Sequence, residues 1–290
     1  MNDENISQLI KDSIAMELET AKEAGMLAYM ARILVQASLP HNKVSGSIYK
    51  RQNGAFKLTI MSDPDEGGLP YGTYPRLLMV WLSTEAVKTQ SPHLVLGRSL
   101  SEFMHQLGLT PSGGRSGNIA RLKDQMIRLF SSYISFTYNG TEQEIMQKSK
   151  RGLEITSDFD LWFTPKSPDQ IGLFESTVTL GDKFFREVIT SPIPVDGRAL
   201  RALKGSSMKL DIYNFLTYRM SYLSKKTAIP WAALGMQLGS NYKRTRDFKK
   251  NFCSHLREVL IVYPEAKVSG EEEHLILYPS KPHIPLLSKR

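Results

Sequence analysis

Five side chains near the C-terminus, Lys243, Arg246, Lys250, Ser254 and Arg257, are spaced 3, 4, 4 and 3 residues apart. On a helix that spacing stacks them along one face. Four cations and a hydroxyl in a row, with no carboxylate among them, suit a polyanion. Ammonium and guanidinium groups neutralise phosphates, and Arg or Lys can donate to guanine O6 and N7. The other side of the same stretch is apolar: Phe248, Phe252, Leu256 and Val259. Like charges four residues apart repel, so surface helices usually interleave signs. A solvated lysine-rich face is the competing reading. Asn241, Arg244 and Lys249 join the ridge as candidate DNA contacts, and Ser240-Asn241 is a candidate cap for a helix over residues 242–262.

A second basic set is Arg115, Arg121 and Arg128, on or beside an expected helix over residues 115–132. Its core face is Ile119, Leu122, Met126, Phe130 and Tyr133. Its outward face, Arg121, Asp124, Gln125, Arg128 and Ser132, is mixed in sign, so duplex contact and a subunit interface both stand. Lys148, Lys150 and Arg151 fall between two expected strands, as a basic wing tip or a solvated loop. The tip of the last expected hairpin carries Glu271, Glu272 and Glu273, which would be repelled by phosphates.

Other chemistries lack their residues. A single cysteine, Cys253, excludes a disulfide framework and a Cys-based zinc site. The six histidines never fall at i,i+4 or in His-x-His, so no local metal clip and no nicking-type metal pair is expected. There is no P-loop; Gly113–Gly117 is glycine-rich but lacks its lysine. An enzyme, a cofactor and a metal are therefore not expected. No apolar run reaches about 18 residues, and the acidic N-terminus lacks a signal pattern, so a soluble, cytoplasmic protein is expected, with no membrane contact.

The net charge of +8 is unevenly placed. Residues 196–262 hold thirteen Lys or Arg against four Asp or Glu, whereas residues 1–24 hold two against six. A basic C-terminal module and an acidic arm result, and the basic module points to nucleic acid.

The elements that must position these groups repeat an order. A helix is expected over residues 4–38, with Gly25 as a point where the run can break, then a hairpin over 47–61 turning at Asn53-Gly54 in a type I′ turn. Two passes of helix, short helix, turn, helix and hairpin follow. The short helices end in Gln106-Leu107-Gly108 and Gln237-Leu238-Gly239. In the first pass, a strand at 133–138 turns at Asn139-Gly140 and returns over 153–163; in the second, a closing hairpin pairs 260–263 with 274–279. This order predicts an α+β, mostly helical protein with two tandem winged-helix modules. The expected divisions are 1–66 (N-terminal helix and hairpin), 67–174 (first module) and 175–290 (second, DNA-reading module). A single α+β domain without duplication is the alternative.

Five stretches carry a resemblance: residues 69–88 (LPYGTYPRLLMVWLSTEAVK), 96–109 (LGRSLSEFMHQLGL), 113–130 (GGRSGNIARLKDQMIRLF), 178–196 (VTLGDKFFREVITSPIPVD) and 217–264. Through them the sequence resembles the RepA-type plasmid replication initiators of bacteria, over about residues 36–283. The resemblance implies two winged-helix modules that bind repeats in the double-stranded DNA of a plasmid origin. It further implies local strand opening, recruitment of a host initiator ATPase and replicative helicase, and a homodimer that represses its own promoter. A winged-helix autoregulatory repressor without the initiator role is the alternative. The acidic arm matches none of the family's blocks.

Overall fold

A computed structural model describes residues 3–142, 145–163, 167–171, 175–238 and 242–285, with the backbone alone at 33–34 and 138–153. The first helix, α1 (Asp3–Leu18), is followed by strand β1 (Leu27–Ala31) and a short α2 (Arg32–Gln36). The helix expected over 4–38 is therefore broken, and the chain past Gly25 enters a strand. The reason is non-local: β1 pairs antiparallel with β9 (Pro192–Asp196), from Leu27 opposite Asp196 to Ala31 opposite Pro192. Met30 and Ala31 are buried in the main core by this pairing.

β2 (Ile48–Asn53) and β3 (Phe56–Ser62) form the expected hairpin. The closing pair is Asn53 and Phe56, so the loop residues are Gly54 and Ala55, and the positive φ falls on Gly54 alone. That is the type II′ pattern, not the type I′ turn expected from Asn53-Gly54. Next come α3 (Thr73–Thr89), β4 (His93–Gly97), α4 (Leu100–Gln106) and α5 (Asn118–Phe130). Ser99 caps α4, its hydroxyl accepting from the Glu102 N–H at 3.2 Å, while the Glu102 carboxylate accepts from the Arg98 N–H.

β5 (Ser132–Glu142) and β6 (Ile145–Glu154) make a long hairpin. The chain runs straight through Asn139-Gly140, which pair with Lys148 and Gln147. The turn expected there, and the return expected over 153–163, are both displaced. β2, β3, β5 and β6 form one four-stranded antiparallel sheet in the order β2-β3-β5-β6. β7 (Thr156–Asp160), β8 (Ser176–Leu180), α6 (Asp182–Thr190), β9 and α7 (Gly197–Leu203) follow. The C-terminal part is α8 (Ser207–Met220), β10 (Thr227–Pro230), α9 (Trp231–Leu238), α10 (Thr245–Val262), β11 (Val268–Gly270) and β12 (His274–Leu277). Residues 260–262 belong to α10, so the closing hairpin expected to begin there is made by β11 and β12 instead.

Two three-stranded sheets share one plan. Their orders are β4-β8-β7 and β10-β12-β11: the strand before the short helix, then the last strand, then the middle one. Each closes on a long helix, a short helix and a third helix (α3, α4, α5 and α8, α9, α10). The mixed architecture of helices and small antiparallel sheets is thus repeated along the chain.

The two halves meet around a buried ion cluster. Arg76 on α3 donates its Nε and one terminal nitrogen to the Asp211 carboxylate on α8, both at 2.7 Å. Its remaining donors go to the carbonyls of Leu39, Pro40 and Gly72. His41 Nε2 lies 2.7 Å from Oδ2 of Asp211, the oxygen that also accepts from the Arg76 terminal nitrogen. Burial raises the Asp211 pKa, but Arg76 and His41 outweigh it and hold the carboxyl below its usual value. Burial pushes the His41 pKa down against the opposing pull of Asp211, and its Nε2 donates to the carboxylate.

The arm is also tied down. Leu9 and Ala21 are buried, and Asn5 donates to the Glu258 carboxylate on α10 at 3.0 Å. Arg198, held by Asp196, donates to the carbonyls of Ala15 and Glu19 at the end of α1.

Candidate nucleic-acid interface

α10 is aimed by its underside. Phe248, Phe252, Leu256 and Val259 are all buried. The Phe252 ring meets Trp231 of α9 at 5.6 Å between centroids. Gly235 of α9 lies over Phe248, where a Cβ would stand 3.5 Å from the ring, so α9 and α10 pack closely. The opposite side of α10 is thereby held towards solvent.

Lys243, Arg244, Arg246, Lys250 and Arg257 are exposed, and Ser254 is half-buried. The Arg246 side chain is 80% exposed, and among the described residues its ion-pair contact is Asp247 at 4.0 Å. The helix starts at Thr245, with Arg244 as a cap residue that makes no side-chain cap bond. Lys243 and Arg244 therefore sit in the entering turn and not on the helix as expected. The helical stripe is Arg246, Lys250, Ser254 and Arg257. Asn241, with the expected Ser240-Asn241 cap, lies outside the described residues.

Lys249 is differently placed. Its Nζ donates to the Glu272 carbonyl at 2.9 Å and lies 5.7 Å from the Trp231 ring centroid. Trp231 also donates from its backbone to the Glu273 carbonyl and from its indole to that of Glu271. The backbone of the acidic tip is thus fastened to α9 and α10, with all three glutamates exposed. Cys253 is half-buried beside Gly270, and burial pushes its thiol up despite Lys249 and Arg257, which opposes a nucleophilic role.

The first basic set divides. Arg115 and Arg121 are exposed, and beside Arg121 the Tyr74 hydroxyl donates to Asn118 at 2.7 Å. Arg128 is buried, which corrects its assignment as a DNA contact. It pairs with Asp124 at 2.8 Å, donates to the Gly67 carbonyl and covers the Tyr71 ring. Gln125 and Ser132 are buried on the same side. The loop at 67–71 covers what the helical spacing alone presents as an outward face. Lys148, Lys150 and Arg151 lie within β6, opposite Asn139, Thr137 and Phe136, and not at a wing tip. Among the described residues no cluster of three or more His, Cys, Asp or Glu could hold a metal ion, and no helix is long and apolar enough to cross a membrane.

Two helical groups on small sheets of matching strand order, with a cationic stripe on the last long helix, make a mixed α/β architecture of two like-built parts in which that stripe is the candidate nucleic-acid interface. A family model described as plasmid encoded RepA protein matches residues 69–232. That is more than half of the chain, and the chain belongs to this family, the replication initiators that its sequence resembles. Among solved structures, a selenomethionine crystal structure of domains 2 and 3 of RctB is 14% identical. It covers 88% of this chain and 97% of that one, with a TM-score of 0.54. A second RctB domain 2–3 structure is also 14% identical, over 85% and 94%, with a TM-score of 0.48. At this identity the first likeness shows the fold alone. No curated protein sequence matches the chain.

Proposed function

We propose that this chain is a non-enzymatic plasmid replication initiator acting in the bacterial cytoplasm. It binds repeats in origin duplex DNA through two winged-helix modules, opens the origin locally and recruits a host initiator ATPase and the replicative helicase. Family membership supports the initiator role, and the repeated strand order supports the two modules. One observation carries the DNA reading: Arg246, Lys250 and Arg257 stand exposed on α10 while its opposite side is locked in the core. A stripe of like cations, with Asp247 only on its flank, costs stability in the free protein, and phosphates offset that cost. α10 is the helix that enters the major groove, and Lys243 and Arg244 in the turn before it reach the backbone.

The test uses duplexes tiled across the DNA flanking the protein's own gene, with binding followed by footprinting and fluorescence anisotropy. Arg246→Ala and Lys250→Ala should each weaken specific binding by about 1–3 kcal/mol if the side chain reads a base, and relax selectivity at one position. Arg128→Ala, where the arginine is buried, should leave base selectivity unchanged. An unaltered footprint in the Arg246→Ala/Lys250→Ala protein would mean that another surface reads the DNA.

A further inference from the structure

β1 has an open edge. It pairs with β9 in a two-stranded sheet, and among the described residues no strand lies on its other side. The register decides which backbone groups face that side. Tyr29 and Ala31 stand opposite Pro194 and Pro192, and proline has no N–H to give. Those positions are therefore non-hydrogen-bonded pairs, and Ala28 and Met30 carry the ladder to Val195 and Ile193. Three hydrogen bonds agree with this phase. The Tyr29 N–H turns away from β9 and donates to the Thr84 hydroxyl on α3 at 2.8 Å. The Asp196 N–H, opposite Leu27, donates to the Tyr213 hydroxyl at 3.0 Å. The Gly197 N–H donates to the Met26 carbonyl at 2.8 Å. Leu27 thus turns its N–H and its C=O to the same side as Tyr29, and neither has a hydrogen-bond partner among the described residues.

That side is where α3 lies, and Leu27 and Thr84 both line a cavity of about 410 Å³ between α3, α4 and α7, a volume ordinary for a ligand site. Its floor is apolar: Leu77, Val80, Trp81, Leu107 and Leu200. The Trp81 indole N–H is spent on the Gln106 side chain at 2.8 Å, so the ring offers its apolar body and not a donor. Glu85, Lys88 and Arg201 bring charge to the walls. Lys88 pairs with Glu85 at 3.3 Å, whereas Arg201 is exposed and makes no ion pair among the described residues. The cavity therefore holds one cation in excess.

These features select one occupant. A free N–H beside a free C=O on a strand edge matches the backbone of an extended chain. The apolar floor takes a side chain, and the surplus guanidinium takes a carboxylate. The added strand is short, because Thr84 already closes the next rung at Tyr29. We propose that this cavity binds a short extended peptide of a partner protein, an apolar residue followed by an acidic one, as a strand added to β1. Its occupant touches α3 of the first half and α7 of the second, so it joins the two halves.

The test titrates the isotope-labelled full chain with the capped tetrapeptide acetyl-Gly-Leu-Asp-Gly-amide, followed by two-dimensional NMR. Two control peptides carry lysine in place of the aspartate, or N-methyl groups on both central residues. Alternate residues of a strand face its neighbour, so one of those two must form the rung. The expected result is saturable shifts of the Leu27 amide and the Trp81 indole, with a dissociation constant of roughly 0.1–1 mM. Each control should bind at least about tenfold more weakly. Arg201→Glu, a surface change checked by thermal melt, should weaken the aspartate peptide about tenfold and turn the preference towards the lysine peptide. No saturable shift at several millimolar peptide, equal binding of the N-methylated peptide, or an Arg201→Glu protein that binds like wild type would each overturn the proposal. The assay contains no DNA, so it stands or falls apart from the reading of α10.

Discussion

Replacing Asp211 with alanine removes the centre of the cluster that joins α3 to α8. Arg76 would lose two of its five hydrogen bonds and its only neutralising charge while its side chain stays 5% exposed. Removing one partner of a buried ion pair costs about 3–5 kcal/mol, because an uncompensated charge remains in the interior. Unfolding entropy near 2.1 cal/mol/K per residue gives about 0.6 kcal/mol/K for a chain of this size, so the melting temperature should fall by roughly 5–8 °C. Urea titration and calorimetry at pH 7 measure both quantities. The companion variant Arg76→Met/Asp211→Leu removes the stranded charge and fills the space with apolar atoms. It should recover most of the loss, since buried pairs replaced by packed hydrophobic residues are often neutral. A loss below about 1 kcal/mol for Asp211→Ala, or a double variant as unstable as the single one, would refute the idea that charge burial rather than contact number governs this joint.

Two further outcomes are expected. Burial lowers the pKa of His41, His255 and His283. The folded protein therefore binds fewer protons than the unfolded chain below about pH 6.5, so stability present above that pH should be lost as pH falls through the folded values. Urea midpoints measured between pH 7.5 and 5 should decline, and His283→Gln should flatten the trend. In the turn before α5, a Cβ on Gly117 would lie 2.2 Å from the Ser112 carbonyl oxygen, whereas one on Gly113 meets nothing within 4 Å. Gly117→Ala should cost more than about 2 kcal/mol and Gly113→Ala less than about 0.5 kcal/mol, judged by thermal melts.

The α10 ridge was legible because its two faces obey one helical period, and neither depends on distant sequence. The hairpin at Gly54 was legible because glycine and alternation are local signals. Elements decided by remote partners were not. Residues 27–31 read as helix until residues 192–196 supply a strand to pair with. Arg128 reads as outward until the loop at 67–71 lies across it. Lys148, Lys150 and Arg151 looked like a loop because basic and small residues interrupt the apolar alternation, yet a ladder with β5 carries the strand through them. The Arg76–Asp211–His41 cluster left no local trace, since its members come from three separate segments and meet only in the assembled fold.

The strand orders bear on how the chain matures during synthesis. In each three-stranded sheet the central member is the one made last: β8 separates β4 from β7, and β12 separates β10 from β11. A nascent chain leaving the ribosome therefore carries β4 as an open edge until residues 176–180 have emerged, and β1 waits longer still for β9. Neither module can close its sheet on an incomplete product. A prematurely terminated fragment would keep the cationic or helical pieces without the frame that orients them.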